Sequence, residues 1–453
     1  MASKKELVEA QSFSRRRLLT AFVSGTPGGR ELEPTKPMRA VVTGAGLSVL
    51  LVLGSIGYGL LKPGLPDGWD DSSLVVTEGS GTRFVALKGT LYPVLNTTSA
   101  RLLVPADAFQ VVQVSADKIS EVPRGRQVGI PGAPDELPSP ANLVGEGWVT
   151  CAGDGGGTRT TIGPTASGAS ASSAHAVVTV DDAVYVVAGR TRHLVPDDRT
   201  AVLRALALET VPARPVTGLW LNTVPPGDPL VPLAVAGAGA PAGLPSVPDA
   251  VVGSVLEVTG TGDAPRRYVV TLEGRLAPLT EVAYQLYQLG SGATLGPPLT
   301  VTAADIRDLE TDSTALAPTS WPTALAPSLG TDAPLCLVLD AADGAAQPTA
   351  HLASAPDDLA PTTDRPEVVV AAGRGALVRA TGDSVPDRGP VQLVDQTGTV
   401  FAVPDASDEV LAQLGFTAAD VTPVPQSWLA LLPSGPELTT EAASASTQTV
   451  EQP

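Results

Sequence analysis

The chain has few of the residues that build metal and cofactor sites. Its 453 residues include two cysteines and three histidines, and only 4% are aromatic. Two cysteines without nearby histidines cannot form a four-ligand zinc site. His175, His193 and His351 show no ligand spacing to one another. The sequence therefore predicts no metal site and no cofactor.

Motifs for nucleotide hydrolysis and hydrolase chemistry are also missing. A P-loop needs GxxxxGK[ST], whose lysine contacts the phosphates. The lysines after residue 61 are Lys62, Lys88 and Lys118, none in such a loop. Residues 153–158 are rich in glycine but contain no lysine, and no GxSxG sequence marks a nucleophilic serine. No catalytic residue is predicted.

One long hydrophobic run is present. Residues 40–61 contain no charged residue, and Arg39 and Lys62 flank them. At a rise of about 1.5 Å per residue, such a helix spans the roughly 30 Å core of a bilayer. The run is longer than the apolar part of a typical signal peptide. An uncleaved transmembrane helix is expected, and a cleaved signal peptide is the alternative.

Charge is distributed unequally on the two sides of this run. The first 39 residues carry eight of the 29 basic and four of the 47 acidic residues, so residues 62–453 have a net charge of −22. The positive-inside rule makes residues 1–39 a cytoplasmic arm and places the rest outside the cell membrane, as a single-pass topology. The acidic outer part is unsuited to nucleic acid or to anionic membrane surfaces. Solubility alone is a simpler explanation of its acidity than a specific basic partner.

The cytoplasmic arm is predicted to contain a basic amphipathic helix. Within 8–23, Phe13, Arg17 and Ala21 recur every four residues, and Leu18 and Phe22 lie beside them. Such a helix can lie on the inner leaflet or dock onto a cytoplasmic partner; a topology signal alone is the alternative. The residues expected to bind a partner are Phe13, Arg15, Arg16, Arg17 and Leu18.

The two cysteines are expected to form a disulfide. Cys151 and Cys336 both follow the apolar run, on the oxidising side of the membrane, where an even number of cysteines indicates disulfide bonding. The bond closes a loop of about 185 residues, worth at most roughly 5 kcal/mol in the chain-entropy model. Two free buried thiols are the alternative.

The outer part contains internal repeats. Residues 186–230 align without a gap on 394–438, and Trp220 matches Trp428 in what is interpreted as a repeat core. Similar segments that contain Gly89-Thr90-Leu91 and Gly274-Arg275-Leu276 lie 185 residues apart. The expected short α/β units are repeat unit 1 (75–122), repeat unit 2 (180–232), repeat unit 3 (264–312) and repeat unit 4 (388–438).

Two long segments between the units, 123–179 and 313–387, each carry one cysteine and are expected to form a central β domain. Within the first, 153–173 is predicted to be a flexible loop. The tail 439–453, rich in Thr, Ser, Ala and Gln, is predicted to be disordered. The fold class is α+β: a single transmembrane helix plus an extracytoplasmic domain with a central β domain and four repeat units.

Several segments of the chain form recognisable motifs. They are Gln11-Ser12-Phe13, Arg15-Arg16-Arg17, Pro37-Met38-Arg39, residues 91–102, residues 128–138 and Trp148-Val149-Thr150-Cys151. These motifs resemble those of the EccB family, core membrane subunits of actinobacterial type VII (ESX) secretion systems. Tyr92 stands where that family commonly has histidine.

The resemblance implies a structural subunit that links cytoplasmic motor partners to an extracytoplasmic assembly. In the family the outer part has a central β domain, four repeats and one disulfide, and it associates with itself. The implied partners are the EccC motor ATPase and the EccD and EccE membrane subunits. A peptidoglycan-binding module is an alternative function. An ATPase is a second alternative, because some members are labelled so.

Overall fold

A computed structural model gives the fold. It describes residues 3–24, 37–60, 67–196, 199–259, 265–313, 315–330, 332–340, 348–382 and 389–446. The chain divides into two compact units, Met1–Pro66 and Asp67–Pro453. The second unit contains the repeats and both cysteines.

The first unit contains two helices. Helix α1 spans Lys4–Ser24 and so includes the segment 8–23. Helix α2 spans Pro37–Leu60 and coincides with most of the apolar run. Residue 61 and the side chains of 57–60 lie outside the described residues. Among the residues that are described, no helix is both long and apolar enough to cross a membrane. The transmembrane helix at 40–61 stays a prediction.

The second unit consists of short helices and strands, as expected of a chain with 46 glycines and 43 prolines. Its helices are α3 (Thr97–Leu102), α4 (Arg199–Ala205), α5 (Gly218–Asn222), α6 (Glu281–Tyr287), α7 (Asp408–Leu414), α8 (Gln426–Leu429) and α9 (Thr440–Ser444). Its strands are β1 (Ser73–Thr77), β2 (Arg83–Leu87), β3 (Thr90–Pro93), β4 (Gln110–Val114), β5 (Trp148–Ala152), β6 (Thr158–Ile162), β7 (Ser170–Ala171), β8 (His175–Val180), β9 (Ala183–Ala188), β10 (Thr191–Val195), β11 (Arg214–Pro215), β12 (Val255–Val258), β13 (Arg266–Val270), β14 (Leu276–Leu279), β15 (Leu299–Val301), β16 (Leu335–Asp340), β17 (Thr349–Ser354), β18 (Glu367–Val370), β19 (Ala376–Thr381), β20 (Val391–Val394), β21 (Val400–Val403) and β22 (Thr422–Pro425).

Four of the five sheets formed by the described residues share one topology. They are sheet I (β1–β4), sheet II (β8–β11), sheet III (β12–β15) and sheet IV (β19–β22), each with its strands in the order third, second, first, fourth. The first three strands pair antiparallel, and the fourth pairs parallel with the first. Helices α3, α4, α6 and α7 connect the third strand to the fourth, since parallel strands need a long crossover.

The fifth sheet joins the two segments that carry the cysteines. This central sheet has the order β18-β6-β5-β16-β17-β7. Strands β5 and β16 are antiparallel neighbours, with Cys336 directly opposite Cys151. Sheets II and III are therefore inserted between two adjacent strands of the central sheet, whereas sheets I and IV precede and follow it in the chain.

The sheets begin earlier in the chain than the sequence predicted. Sheets II, III and IV start with strands at 175, 255 and 376, whereas the repeat units were predicted to start at 180, 264 and 388. Sheet I starts at 73 instead of 75. The predictions missed these first strands because the similarity between units 2 and 4 only becomes visible from the second strand onward.

Two segments predicted to lack regular structure are ordered. Residues 153–173 include a turn at 153–157, β6, the 3-10 helix Pro164–Gly168 and β7. Strand β6 is mostly β-branched, which favours a strand. The described part of the tail contains α9, where Thr439 caps the helix and Ala443 is fully buried. Residues 447–453 lie outside the described residues.

Shared hydrophobic cores connect the sheets in one series. Helix α3 packs against α7, which joins sheet I to sheet IV, and α4 packs against α6, which joins sheet II to sheet III. The central sheet links these two pairs of sheets, because Trp220 of repeat unit 2 and Trp428 of repeat unit 4 pack in one cluster with Trp148 of the central sheet. All three tryptophans are fully buried, which confirms that Trp220 and Trp428 are core residues. The series runs sheet I, sheet IV, central sheet, sheet II, sheet III.

In three repeat sheets a ring on the third strand covers a glycine. The pairs are Tyr92 with Gly125, His193 with Gly227, and Phe401 with Gly435. A β-carbon on each glycine would lie 2.2, 2.4 and 2.3 Å from a ring carbon, in the same order. Tyr92 thus occupies the position that His193 occupies in sheet II, and each ring packs against a glycine. Only glycine leaves room for the ring.

We expect Gly435→Ala to destabilise the protein by about 1–3 kcal/mol, because the added methyl group overpacks the contact with Phe401. Thermal unfolding of the variant measures this. Gly382→Ala is the control, because its β-carbon would meet no atom within 4 Å, so the substitution should be neutral or slightly stabilising. Equal unfolding temperatures for the two variants would contradict a tight ring–glycine contact.

Candidate functional site: the junction of the two sequence motifs

The two longest motifs lie against each other, and we call their contact the motif junction. Residues 91–102 include most of β3 and all of α3, and 128–138 pass beside them without a helix or a multi-residue strand. Three polar side chains of the first motif, Asn96, Thr98 and Ser99, are buried at this contact. Buried polar groups destabilise a protein unless they form hydrogen bonds, so their partners decide what the site does.

Each of these side chains bonds to the second motif. The Asn96 amide nitrogen donates to the carbonyl oxygen of Ile130 at 2.8 Å, and the Thr98 hydroxyl donates to that of Pro134 at 2.5 Å. In the other direction, the Ile130 backbone N–H donates to Ser99 Oγ at 2.9 Å. The motif side chains therefore hold backbone of the same chain.

Asn96 also starts helix α3. Its Oδ1 accepts from the backbone N–H of Ser99 at 2.9 Å and from the Ser99 hydroxyl at 2.6 Å. Asparagine is a preferred N-cap because its side chain satisfies a helical N–H that has no partner within the helix. One residue thus caps the helix and bonds to the second motif.

The apolar side of the junction faces sheet IV. Leu102 and Ile130 share a cluster with Leu438 and Ala443, the latter on α9. The segment around Val128 also forms a bridge to the described end of the chain. The junction therefore holds sheet I against sheet IV.

Charged groups surround the junction at its solvent side. Asp135 accepts from Arg83 at 2.9 Å, and exposed pairs of this kind contribute little to stability. Arg101 lines a cleft of about 280 Å³ together with Asp135 and Gly415. Its guanidinium lies 4.7 Å from the centre of the Phe109 ring, and burial lowers the pKa of Arg101.

The disulfide joins Cys151 to Cys336. Both residues are fully buried and pack in a cluster that includes Val149 and Leu359. The bond thus lies inside the central sheet, at the base of the inserted segment that carries sheets II and III.

The residues predicted to bind a cytoplasmic partner all lie on α1. Phe13 is 53% exposed and Leu18 67% exposed, and Arg15, Arg16 and Arg17 are exposed as well. At about 100° per residue, Phe13 lies about 140° around the helix from Leu18. A partner that contacts both residues must therefore cover about 140° of the helix surface.

The glycine-rich segment 153–158 forms a hairpin turn between β5 and β6. Gly153 N–H donates to the Gly157 carbonyl, and Gly156 N–H to the Gly153 carbonyl. A P-loop instead leads from a strand into a helix whose N-terminus holds the phosphates. This segment leads into a strand and does not have that geometry.

The three histidines occupy separate places. His175 Nδ1 lies 2.6 Å from the carbonyl oxygen of Ala326, and His351 Nε2 accepts from Arg190 Nε at 3.0 Å. His193 is the ring that covers Gly227. Within the described part of the chain, no group of three or more His, Cys, Asp or Glu residues could hold a metal ion.

We expect acid to weaken the fold through His193. Its Nδ1 donates to the Asp228 carbonyl at 2.9 Å and its Nε2 accepts from the Thr191 hydroxyl at 2.8 Å. Burial lowers the pKa of His193 below 6.5, against a smaller opposing effect of Asp228. The folded state favours the neutral ring. The contribution of His193 to the free energy of unfolding is therefore fully present above a pH of about 6.5 and is lost as the pH falls toward the folded-state pKa.

His193→Phe tests this, since Phe401 occupies the same position in sheet IV. The variant should show a smaller drop in Tm between a pH of about 7 and about 5 than the parent chain, because phenylalanine does not titrate. An identical pH dependence of both Tm values would exclude His193 as the titrating group.

The structure thus defines a class of protein: a modular α+β chain of repeated sheets joined by shared cores, whose main motifs bind each other. The model of the family described as "Type VII secretion system ESX-1, transport TM domain B" matches residues 1–452, and the chain belongs to this family. It is a core subunit of the membrane complex of a type VII secretion system.

Curated relatives agree with this assignment. The chain is 29% identical over 395 residues to the ESX-2 secretion system ATPase EccB2 of Mycobacterium tuberculosis. The alignment covers 83% of this chain and 75% of that protein. It is 28% identical over 436 residues to the ESX-3 secretion system ATPase EccB3 of Mycolicibacterium smegmatis, covering 88% and 82%.

Solved structures share the fold. A chain of the intact ESX-5 inner membrane complex matches with a TM-score of 0.67 and 22% identity over 100% of this chain and 97% of that one. The EccB3 dimer from the ESX-3 core complex matches with a TM-score of 0.67 and 24% identity over 82% and 99%.

Sequence reasoning missed the motif junction. Asn-Thr-Thr-Ser after a strand is a helix-capping sequence, so the cap at Asn96 could have been found. The bonds from Asn96 and Thr98 to 128–138 join residues more than 30 positions apart, and no local pattern reports such contacts.

Proposed function

We propose that this subunit acts as a scaffold that links cytoplasmic partners to an extracytoplasmic assembly. Residues 40–61 anchor it as a single transmembrane helix, residues 1–39 lie in the cytoplasm, and the unit from 67 onward lies outside the membrane. The charge difference between the arm and the outer part supports this orientation.

We assign the outer unit five parts. Each repeat unit comprises one of the four repeat sheets with its crossover helix, and the central sheet forms the central β domain. The proposed bounds are 73–122, 175–232, 255–312 and 376–446 for the repeat units, and 123–174 with 313–375 for the central domain.

The motif junction is the observation that carries the scaffold function. A catalytic or ligand-binding motif directs polar side chains toward a substrate, whereas Asn96, Thr98 and Ser99 are buried and bonded to backbone of the same chain. Residues used in this way fix the position of one module against the next. A subunit that holds other subunits in position needs modules whose own positions are fixed.

The proposed partners are the EccC motor ATPase and the EccD and EccE membrane subunits, with self-association of the outer unit. Helix α1 supports a cytoplasmic contact, because it exposes apolar side chains together with a run of three arginines. Apolar side chains left in water are typical of a surface that a partner covers.

The test is co-purification with paired variants of α1. Phe13→Ala with Leu18→Ala should lower the recovery of partner subunits about tenfold, because losing about 1.4 kcal/mol of contact energy has this effect. Leu7→Ala with Val8→Ala is the control, since it removes equally exposed apolar groups outside the predicted contact. Full recovery with both double variants would exclude the proposed role of Phe13 and Leu18.

An ATPase activity is the second candidate, because relatives carry that word in their names. ATP turnover by the full chain in detergent tests it. We expect no turnover above buffer, because the hairpin at 153–158 has no phosphate-binding geometry. Turnover that survives further purification of the chain would overturn this expectation.

A further inference from the structure

Each repeat sheet has two edges, and one of them is covered in the same way in all four. A segment after the crossover forms an isolated bridge to the third strand; in sheet I this is Arg124 with Leu91. The other edge is the fourth strand, and no strand formed by the described residues pairs with its outer side. An unpaired edge offers backbone N–H and C=O groups to another strand, so the fourth strands decide where a foreign strand can bind.

The four edge strands can be aligned on a shared buried valine. It is Val114 in sheet I, and its equivalents are Val216, Val301 and Val424. The Val114 carbonyl accepts from Glu78 N–H on the β1 side. Because backbone groups alternate between the two edges of a strand, the residue before this valine directs its N–H outward.

The residue at this outward position differs among the sheets. It is proline in sheet II (Pro215) and in sheet IV (Pro423), threonine in sheet III (Thr300) and glutamine in sheet I (Gln113). All four residues are exposed. Proline has no N–H to donate and is a common way to block an edge. Sheets II and IV are therefore protected, and sheet I is not.

Strand β4 of sheet I is the longest of the four edge strands and has the fewest features that prevent pairing with another strand. It pairs along all five residues with β1, whereas β11 pairs along two and β15 along three. Its sequence, QVVQV, contains no charge and no proline, and Val111 is 57% exposed. Lysine, proline and short strands are the usual protections of an edge, and β4 has none of them.

We propose that β4 is a docking edge for β4 of a second copy of this chain, so that two sheets I form one continuous sheet across a two-fold axis. This rests on the self-association proposed above and specifies its location. A two-fold contact places identical surfaces opposite each other. Residues 62–453 carry a net charge of −22, so a contact between identical acidic surfaces would bring further like charges together. The uncharged β4 adds no like-charge repulsion at the contact, which favours it as the surface where two copies meet.

The first test is cross-linking of full-length chain in membranes. Both native cysteines form the disulfide, and the described residues contain no free cysteine, so Gln113→Cys provides one reactive thiol per chain. A bismaleimide should join two copies of this variant at least about tenfold more efficiently than two copies of Thr300→Cys, because strand pairing raises the local thiol concentration. Thr300→Cys is the matched control at the equivalent position of sheet III. Equal yields from the two variants would overturn the proposal.

The second test gives sheet I the protection that sheets II and IV have. Gln113→Pro removes the outward N–H and should lower the dimer fraction in detergent, while Thr300→Pro should leave it unchanged. Unchanged dimer with Gln113→Pro would contradict docking at this edge. The recovery of partner subunits separates the β4 contact from the scaffold function. If partners are recovered normally but no cross-link forms at residue 113, the β4 contact alone is rejected. If the parent chain fails to recover partners, the scaffold function is rejected.

Discussion

Replacing Cys151 and Cys336 together by alanine should lower the free energy of unfolding by about 5 kcal/mol at most. The bond joins residues 185 apart, and the chain-entropy model assigns such a loop a stabilisation of this size because the cross-link restricts the unfolded chain. Unfolding in guanidinium, followed by tryptophan fluorescence, measures the loss, since Trp148, Trp220 and Trp428 are buried.

The position of the bond explains why the effect should be large. Sheets II and III are inserted between the two strands that the bond joins, so these strands can pair only after a long loop has closed. The parent chain kept reduced throughout refolding serves as the control and should match the variant. An unchanged guanidinium midpoint in the double variant would show that the bond adds nothing to strand pairing.

Asn96→Ala should destabilise the protein by about 3 kcal/mol. The substitution removes an N-cap, which costs about 1 kcal/mol. It also removes the Asn96 bond to the Ile130 carbonyl, which keeps its bond from the Ala133 N–H, and it leaves the buried Ser99 hydroxyl without an acceptor for its proton. An unsatisfied buried group of this kind costs roughly 1–3 kcal/mol. Thermal unfolding of the full chain measures the change.

Limited proteolysis locates the damage. Because Asn96 bonds to the second motif, cleavage within 123–147 should become faster while the central sheet stays protected. Asn142→Ala is the matched control, as Asn142 is exposed and should change stability by less than about 0.5 kcal/mol. Equal stability of the two variants would mean that the motif junction does not fix sheet I.

Much of the fold could be predicted from particular residues. Trp220 and Trp428 at equivalent positions identified two related units, and two cysteines in a part predicted to lie outside the membrane predicted one disulfide. The segment 8–23 was correctly expected to be helical. These predictions rest on local spacing or on residue counts, which a sequence displays directly.

Other features depend on contacts between distant residues. Strand β8 was missed because the similarity between units 2 and 4 becomes visible only from the second strand onward, although β8 and β9 form a hairpin across Asp181-Asp182. The order of the sheets, with IV beside I, follows from the packing of α3 on α7. Tyr92 had no interpretation until the structure placed its ring over Gly125.

The motif junction shows how a strong sequence motif can serve structure instead of chemistry. Residues 91–102 and 128–138 carry much of the family resemblance, and they are polar enough to suggest a binding site. In the fold they satisfy each other's hydrogen bonds and hold sheet I to sheet IV. A change of one such side chain removes several hydrogen bonds at once, since Asn96 alone makes three.

The most direct test of the scaffold account is affinity purification of the full-length chain from membranes, followed by identification of the proteins that accompany it. The account predicts the motor ATPase of the EccC type and membrane subunits of the EccD and EccE types, recovered in constant proportion to the chain. Recovery of the chain without these subunits, under conditions that keep membrane complexes intact, would contradict it.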